Sequence, residues 1–153
     1  MTRVARWVAP TTLALTAGGI AVSIYLTIAH FTDPELLVCS DSDTVNCSAV
    51  TTSAQSTFLG IPVALLGLLW FAGMLVLCLP VAWRSTWRPV HLARLAGSIA
   101  GIGFVLWLVY AELIIIGVIC LWCTVAHVLA FALFVVVVTT WPAVSAPEAG
   151  PGP

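Results

Sequence analysis

Residues 95–141 read LAGSIAGIGFVLWLVYAELIIIGVICLWCTVAHVLAFALFVVVVTTW, 47 residues with one formal charge, Glu112. As a single helix the run would be about 70 Å long at ~1.5 Å per residue, against a hydrocarbon core of roughly 30 Å. It has to fold back once, and the turn belongs near residues 113–119. That puts Glu112 at the end of one span and starts the next close to Cys120, leaving 22 residues to Trp141 for one crossing.

The rest of the chain agrees. Of 153 residues, 61% are hydrophobic and 7% are charged, where a soluble domain carries roughly 25% charged residues. Five basic and six acidic side chains cannot coat a water-facing surface, so lipid must solvate most of the molecule. Two further stretches, Trp7–Phe31 and Phe58–Val81, contain no formal charge. The expectation is an all-α integral membrane protein, a four-transmembrane-helix bundle. Its spans fall at about 7–31, 58–81, 92–113 and 118–140, with an outer loop over 32–57. The first apolar run is too long for a signal peptide and lacks a clear cleavage site, so span one is expected to be retained. The tail, 142–153, is rich in Pro, Ala and Gly and is expected to be disordered. A net charge of −1 gives no nucleic-acid footprint.

Charge sets the orientation. Arg3 and Arg6 precede span one, and Arg84, Arg88 and Arg94 flank the connection between spans two and three; there is no lysine. Asp33, Glu35, Asp41, Asp43 and Glu112 fall at the opposite side, with only Glu148, in the tail, sharing the arginine side. The positive-inside rule then puts both termini in the cytoplasm and the 32–57 loop outside it.

Four of the five cysteines collect at that outer face, where disulfides persist. Cys39 and Cys47 lie in the loop; Cys120 and Cys123 begin span four. Cys78, near the cytoplasmic end of span two, reads as a small buried apolar residue. Cys120 and Cys123 are three apart on a helix and close enough to bond. A helix N-terminus favours thiolate there, while apolar surroundings oppose it. With Cys120 at 0°, Cys123 lies near about −60° and His127 near about −20° at ~100° per residue. One stripe thus carries two thiols and an imidazole. His127 is either a core histidine bonded to a neighbouring helix's backbone or a donor to a small molecule held among the helices. Cys39 and Cys47 are either a static staple or an exchangeable pair. Two pairs at one membrane face allow thiol–disulfide exchange from the exposed pair to the buried one. The buried pair then needs an acceptor that lives in the membrane, for which a quinone is the obvious chemistry. Zinc fits less well, because only one pair is Cys-x-x-Cys and 72 residues separate Cys47 from Cys120.

In this order the motifs resemble those of bacterial homologues of vitamin K epoxide reductase. The resemblance covers about residues 7–140. It is carried by Cys39 and Cys47 with seven residues between, VNCSAVTTS ending at Ser53, LGIPVALLGLLWF from Leu59, and CLWCTVAH from Cys120. It implies a helix bundle enclosing a quinone, menaquinone or ubiquinone, near its outer end, with the extracytoplasmic loop capping that pocket. The lack of lysine and the Ala, Val and Arg bias fit a GC-rich bacterium and favour menaquinone. The resemblance implies that electrons enter at Cys39, that Cys47 attacks a Cys120–Cys123 disulfide at Cys120, and that Cys123 faces the quinone. Ser53 matches a hydroxyl near the pocket. Bacterial relatives often carry Asn where this chain has Val63, so that amide contact is missing. His127 stands where the animal enzymes carry a tyrosine.

The implied activity is oxidation of a separate, extracytoplasmic thioredoxin-like thiol oxidase at a bacterial inner membrane, supporting disulfide formation. The chain stops about a dozen residues after span four, so no fused thioredoxin-like domain is expected. The alternatives are reduction of vitamin K epoxide or quinone for its own sake, and a structural membrane protein with a disulfide-stapled loop. Another four-span bacterial thiol oxidase architecture carries its Cys-x-x-Cys first and its wide pair second; the order here is reversed.

Overall fold

In the computed structural model, residues 5–39 and 42–145 are described. Arg3, Asp41, Glu148 and the last part of the expected tail, 146–153, lie outside them. Helix α1 spans Val8–Phe31, and a short 3-10 turn, Pro34–Leu36, leads into the loop that carries a five-residue helix α2, Cys47–Thr51. A two-residue hairpin, β1 (Thr57–Phe58) with β2 (Ile61–Pro62), precedes α3 (Val63–Leu77). Then follow α4 (Pro80–Arg84), α5 (Arg88–Tyr110) with a π-helical extension Ala111–Ile116, and α6 (Leu121–Ser145).

Three of these helices are long and apolar enough to cross a membrane: Val8–Phe31, Arg88–Ile116 and Leu121–Val144. Their outward faces are apolar as well, with Leu106 64% and Val128 60% exposed. Such a surface is stable against lipid and costly against water. The second apolar stretch departs from the span expected over 58–81, since its helix has only 15 residues. Prolines set both ends. Pro62 is the N-cap of α3, preceded by a turn in which Leu59 and Gly60 both take positive φ, 53° and 80°. That is the backbone twist a two-residue hairpin needs. At the other end Pro80 has no N–H to continue the ladder, Leu79 is forced extended, and a new helix starts at Pro80.

The expected fold-back at 113–119 is tighter and later. Helix α5 continues through a widened turn in which Gly117 N–H donates to the Glu112 carbonyl at 2.9 Å. Gly117, at φ 79°, then reverses the chain in the left-handed conformation open to glycine. At the far end α6 runs through Pro142 to Ser145 instead of giving way to a disordered tail at 142.

Helix α1 packs on α3 and α6, and α5 packs on α6 and, less extensively, on α3, so the four helices close a ring. Small residues set the close approaches. A methyl group at Gly19 of α1 would collide with the Phe71 ring of α3, and one at Gly101 of α5 with the Trp70 indole of α3. Polar groups inside the bundle are bonded locally, as membrane burial requires: Thr12 Oγ1 donates to the Val8 carbonyl at 2.9 Å and Thr16 Oγ1 to the Thr12 carbonyl at 2.8 Å.

The N-terminal end of α1, the C-terminal end of α3 and the N-terminal end of α5 meet in one buried polar cluster. Arg94 donates from Nε and Nη2 to the Leu77 carbonyl at 2.8 and 2.6 Å, and Nη1 lies 3.1 Å from His91 Nδ1. Its guanidinium stacks on Trp83, whose Nε1 donates to Thr12 Oγ1 at 3.3 Å. The carbonyl orphaned where α3 stops is thereby satisfied by a side chain from α5.

Candidate functional site

The loop after α1 is held down by three separate devices. Asn46 caps α2, its Oδ1 accepting from the Ala49 N–H at 2.8 Å and from Ser48 Oγ at 3.0 Å. Cys47 is therefore the first residue of a helix and is 1% exposed. Second, the backbone before Cys47 pairs with the backbone before Cys120: Ile119 N–H donates to the Thr44 carbonyl at 2.9 Å, and Asn46 N–H to the Ile119 carbonyl at 3.1 Å. Third, Tyr25 of α1 clasps the preceding arm, donating from its hydroxyl to the Leu36 carbonyl at 2.7 Å and accepting from Val38 N–H at 3.0 Å. Trp122 Nε1 donates to the Val38 carbonyl at 3.1 Å.

These devices gather all four outer cysteines. Cys39 and Cys47 form a disulfide, with Cα atoms 6.1 Å apart, and Cys120 and Cys123 are free thiols. Cys47 and Cys120 are buried in one apolar cluster with Val22, Leu26 and Ala29 of α1, and Cys39 and Cys123 pack against it. Cys120 immediately precedes α6, and its sulfur accepts the Cys123 N–H at 3.2 Å, the position a serine N-cap would fill. A donor aimed at that sulfur supports negative charge on it during exchange. Cys78 lies in the separate cluster with Met74, Leu133 and Val137, beside Arg94 and Thr12.

Beneath the loop is a cavity of about 460 Å³, bounded by the hairpin, α3, α5 and α6. Its wall is overwhelmingly apolar, with Phe58, Trp70 and Phe104 among its large side chains. Cys123, His127, Ser53 and Val63 all line it, so the four residues singled out as quinone contacts share one space. They are not equivalent. Ser53 already donates its hydroxyl proton to the Val50 carbonyl at 2.7 Å, so it fixes the loop and offers the cavity only an acceptor. Val63, the first residue of α3, offers none. His127 makes no hydrogen bond among the described residues, and it lines both this cavity and a second space between α5 and α6.

Two lining groups were not singled out from sequence. His30 of α1 lines the cavity with Nδ1 3.3 Å from the Thr51 carbonyl, which makes that nitrogen the donor. Glu112 lines it from the π turn, although sequence placed it only at a span end. Its signal was its isolation as the one charge in 47 residues.

A sequence model described as the Vitamin K epoxide reductase family matches residues 10–138. The chain belongs to the vitamin K epoxide reductase family. Membership supports an oxidoreductase, and with the three long apolar helices it makes this a membrane protein. For this family the chemistry lies between quinone-linked thiol oxidation and epoxide reduction.

Proposed function

We propose that this vitamin K epoxide reductase family protein is a quinone-dependent thiol oxidoreductase of a bacterial inner membrane. It takes electrons from an extracytoplasmic thioredoxin-like partner and passes them through two cysteine pairs to a membrane quinone, its second substrate. In this reading α3 is a fourth crossing. Its 15 residues give about 22 Å, lengthened by the apolar hairpin before it and α4 after it. Arg6, Arg84 and Arg88 lie toward the end where Arg94 clasps Leu77, and Asp33, Glu35 and Asp43 toward the other. The positive-inside rule makes the arginine end cytoplasmic.

One observation carries the reading: the backbone pairing of residues 44 and 46 with Ile119 sets Cys47 beside Cys120, at the start of the helix whose Cys123 lines the apolar cavity. Partner thiolate attacks the Cys39–Cys47 disulfide at Cys39, releasing Cys47. Cys47 thiolate attacks a Cys120–Cys123 disulfide at Cys120, forming a Cys47–Cys120 bond and freeing Cys123. The partner's second thiol then breaks the partner–Cys39 bond, so that the partner leaves as a disulfide, and the freed Cys39 attacks Cys47, restoring the outer disulfide and leaving the inner pair as two thiols. That final state, outer disulfide with inner dithiol, is the one the structure holds. A quinone suits the cavity, whose wall is largely apolar with a few polar side chains, among them His127 and Glu112. The quinone supplies a two-electron sink that stays in the membrane.

The test is mass spectrometry of the non-reduced Cys123→Ser protein without added thiol, in which the Cys120 thiolate attacks the Cys39–Cys47 disulfide at Cys47, frees Cys39 and finds no Cys123 to resolve the new bond. A trapped Cys47–Cys120 peptide is expected, and wild-type protein given quinone should regain both intramolecular disulfides. If Cys47 never crosslinks to Cys120, the relay is wrong. Assaying vitamin K epoxide in place of oxidised quinone decides between the two family activities.

A further inference from the structure

Glu112 is 6% exposed, sits in an apolar segment, and has no cationic partner among the described residues. A carboxylate buried without a cation is costly, and an apolar side chain would serve packing better. The widened turn Ala111–Ile116 aims it inward, and such turns recur at functional sites. The Cys120 backbone and the Cys123 thiol, at the start of α6, are near enough to act on its carboxyl. It lines the same cavity as Cys123 and His127.

We propose that Glu112 is the catalytic base that takes the Cys123 thiol proton when the inner pair reduces quinone, and returns it to the quinone oxygen. The proposal rests on the thiol–quinone reading above. The balance closes: two S–H bonds of Cys120 and Cys123 break and one S–S bond forms. Two electrons pass to the quinone with both thiol protons, Glu112 carrying the Cys123 proton first and, once a carboxylate again, the Cys120 proton, and the quinone leaves as quinol. Glu112 ends as it began, a carboxylate. A base is needed because the surrounding wall is largely apolar and holds few groups that can take a thiol proton. Cys120, Cys123 and His127 are the other titratable groups facing it from α6 and its start, and His30 lines the cavity from α1.

The test uses full-length protein in phosphatidylcholine vesicles, its inner pair reduced beforehand, mixed with menadione in a single turnover across a pH series. Glu112→Gln keeps shape and hydrogen bonding but cannot carry the proton. It should slow quinol formation at least about tenfold and abolish the rising limb of the wild-type pH profile, while outer-to-inner exchange, read by thiol trapping, is unchanged. Glu112→Asp should be slowed yet keep that limb. A Glu112→Gln protein with the wild-type rate overturns the proposal, and so does a slow one whose profile keeps its limb. If Glu112→Gln does not fold, Glu112→Asp decides, and a wild-type rate and profile there overturn it. Cys123→Ser in the same assay separates the levels. If it is silent while Glu112→Gln is normal, only the role of Glu112 falls; if it still reduces menadione, the thiol–quinone reading falls first.

Discussion

Trp122, inside the Cys-x-x-Cys turn, donates its indole N–H to the carbonyl of Val38, the residue before Cys39, at 3.1 Å. The inner pair is thus tied directly to the arm that carries the outer pair. Tyr25 grips the same arm from α1 and meets the Trp122 ring edge-on, centroids 4.9 Å apart. The arm is anchored independently of the Cys39–Cys47 bond, so opening that bond leaves the backbone at Val38, beside Cys39, held in place.

Trp122→Phe keeps the ring and removes the donor. One neutral hydrogen bond is worth about 1 kcal/mol, or roughly fivefold in a rate that depends on the arm's position. Transfer from the outer to the inner pair should slow by about that factor, measured by timed thiol trapping. Quinone reduction by protein whose inner pair is already reduced should keep its wild-type rate. A loss in both steps would mean that Trp122 shapes the cavity instead.

Arg94 joins three elements at the opposite end, and lysine cannot reproduce its fork. Arg94→Lys loses the second bond to the Leu77 carbonyl, the contact with His91 and the stacking on Trp83. A destabilisation of about 2 kcal/mol is expected, seen as a lower melting temperature in detergent. Quinone turnover per folded molecule, measured well below that temperature, should not change, because the cluster is remote from the cysteine pairs. Cys78→Ala, in the neighbouring cluster, should likewise leave turnover intact.

Much of this architecture is legible in the sequence, and the remainder has identifiable causes. Apolar runs and an arginine bias suffice for the long helices, because lipid solvation acts on composition over twenty residues at a time. The same averaging hid the shortness of α3, where single residues, Pro62 and Pro80, decide the ends. The contacts among the cysteine pairs were legible only as chemistry. The pairing of Asn46 with Ile119 joins backbone groups 73 residues apart, and backbone groups carry no side-chain signature. The inward aim of Glu112 depends on a π turn, which has no sequence pattern of its own.

Gly101 shows how a helix contact sets the cavity. The Trp70 indole occupies the place a methyl group there would take, and its Nε1 donates to the Gly97 carbonyl at 2.9 Å. Gly101→Ala must push that ring toward the cavity it lines, at a cost of about 1–3 kcal/mol for overpacking. The expected result is a quinone KM raised about threefold or more with kcat held, in steady-state assays with a thiol donor in excess. An unchanged KM would show that Trp70 moves away from the quinone space.

Val63 and His127 line the same cavity from α3 and α6. Val63 has no donor, so the imidazole is the expected hydrogen-bond partner of a quinone carbonyl. Val63→Asn should lower the quinone KM by about two- to tenfold, the range of one added neutral hydrogen bond. His127→Phe should raise it by a similar factor. If both side chains address one carbonyl, the effects will not add: His127→Phe will cost less in the Val63→Asn background than in wild type. Measuring KM for the four members of this cycle checks the point. Strict additivity would mean that the two positions serve opposite ends of the ring, with His127 bonding one oxygen and position 63 facing the other.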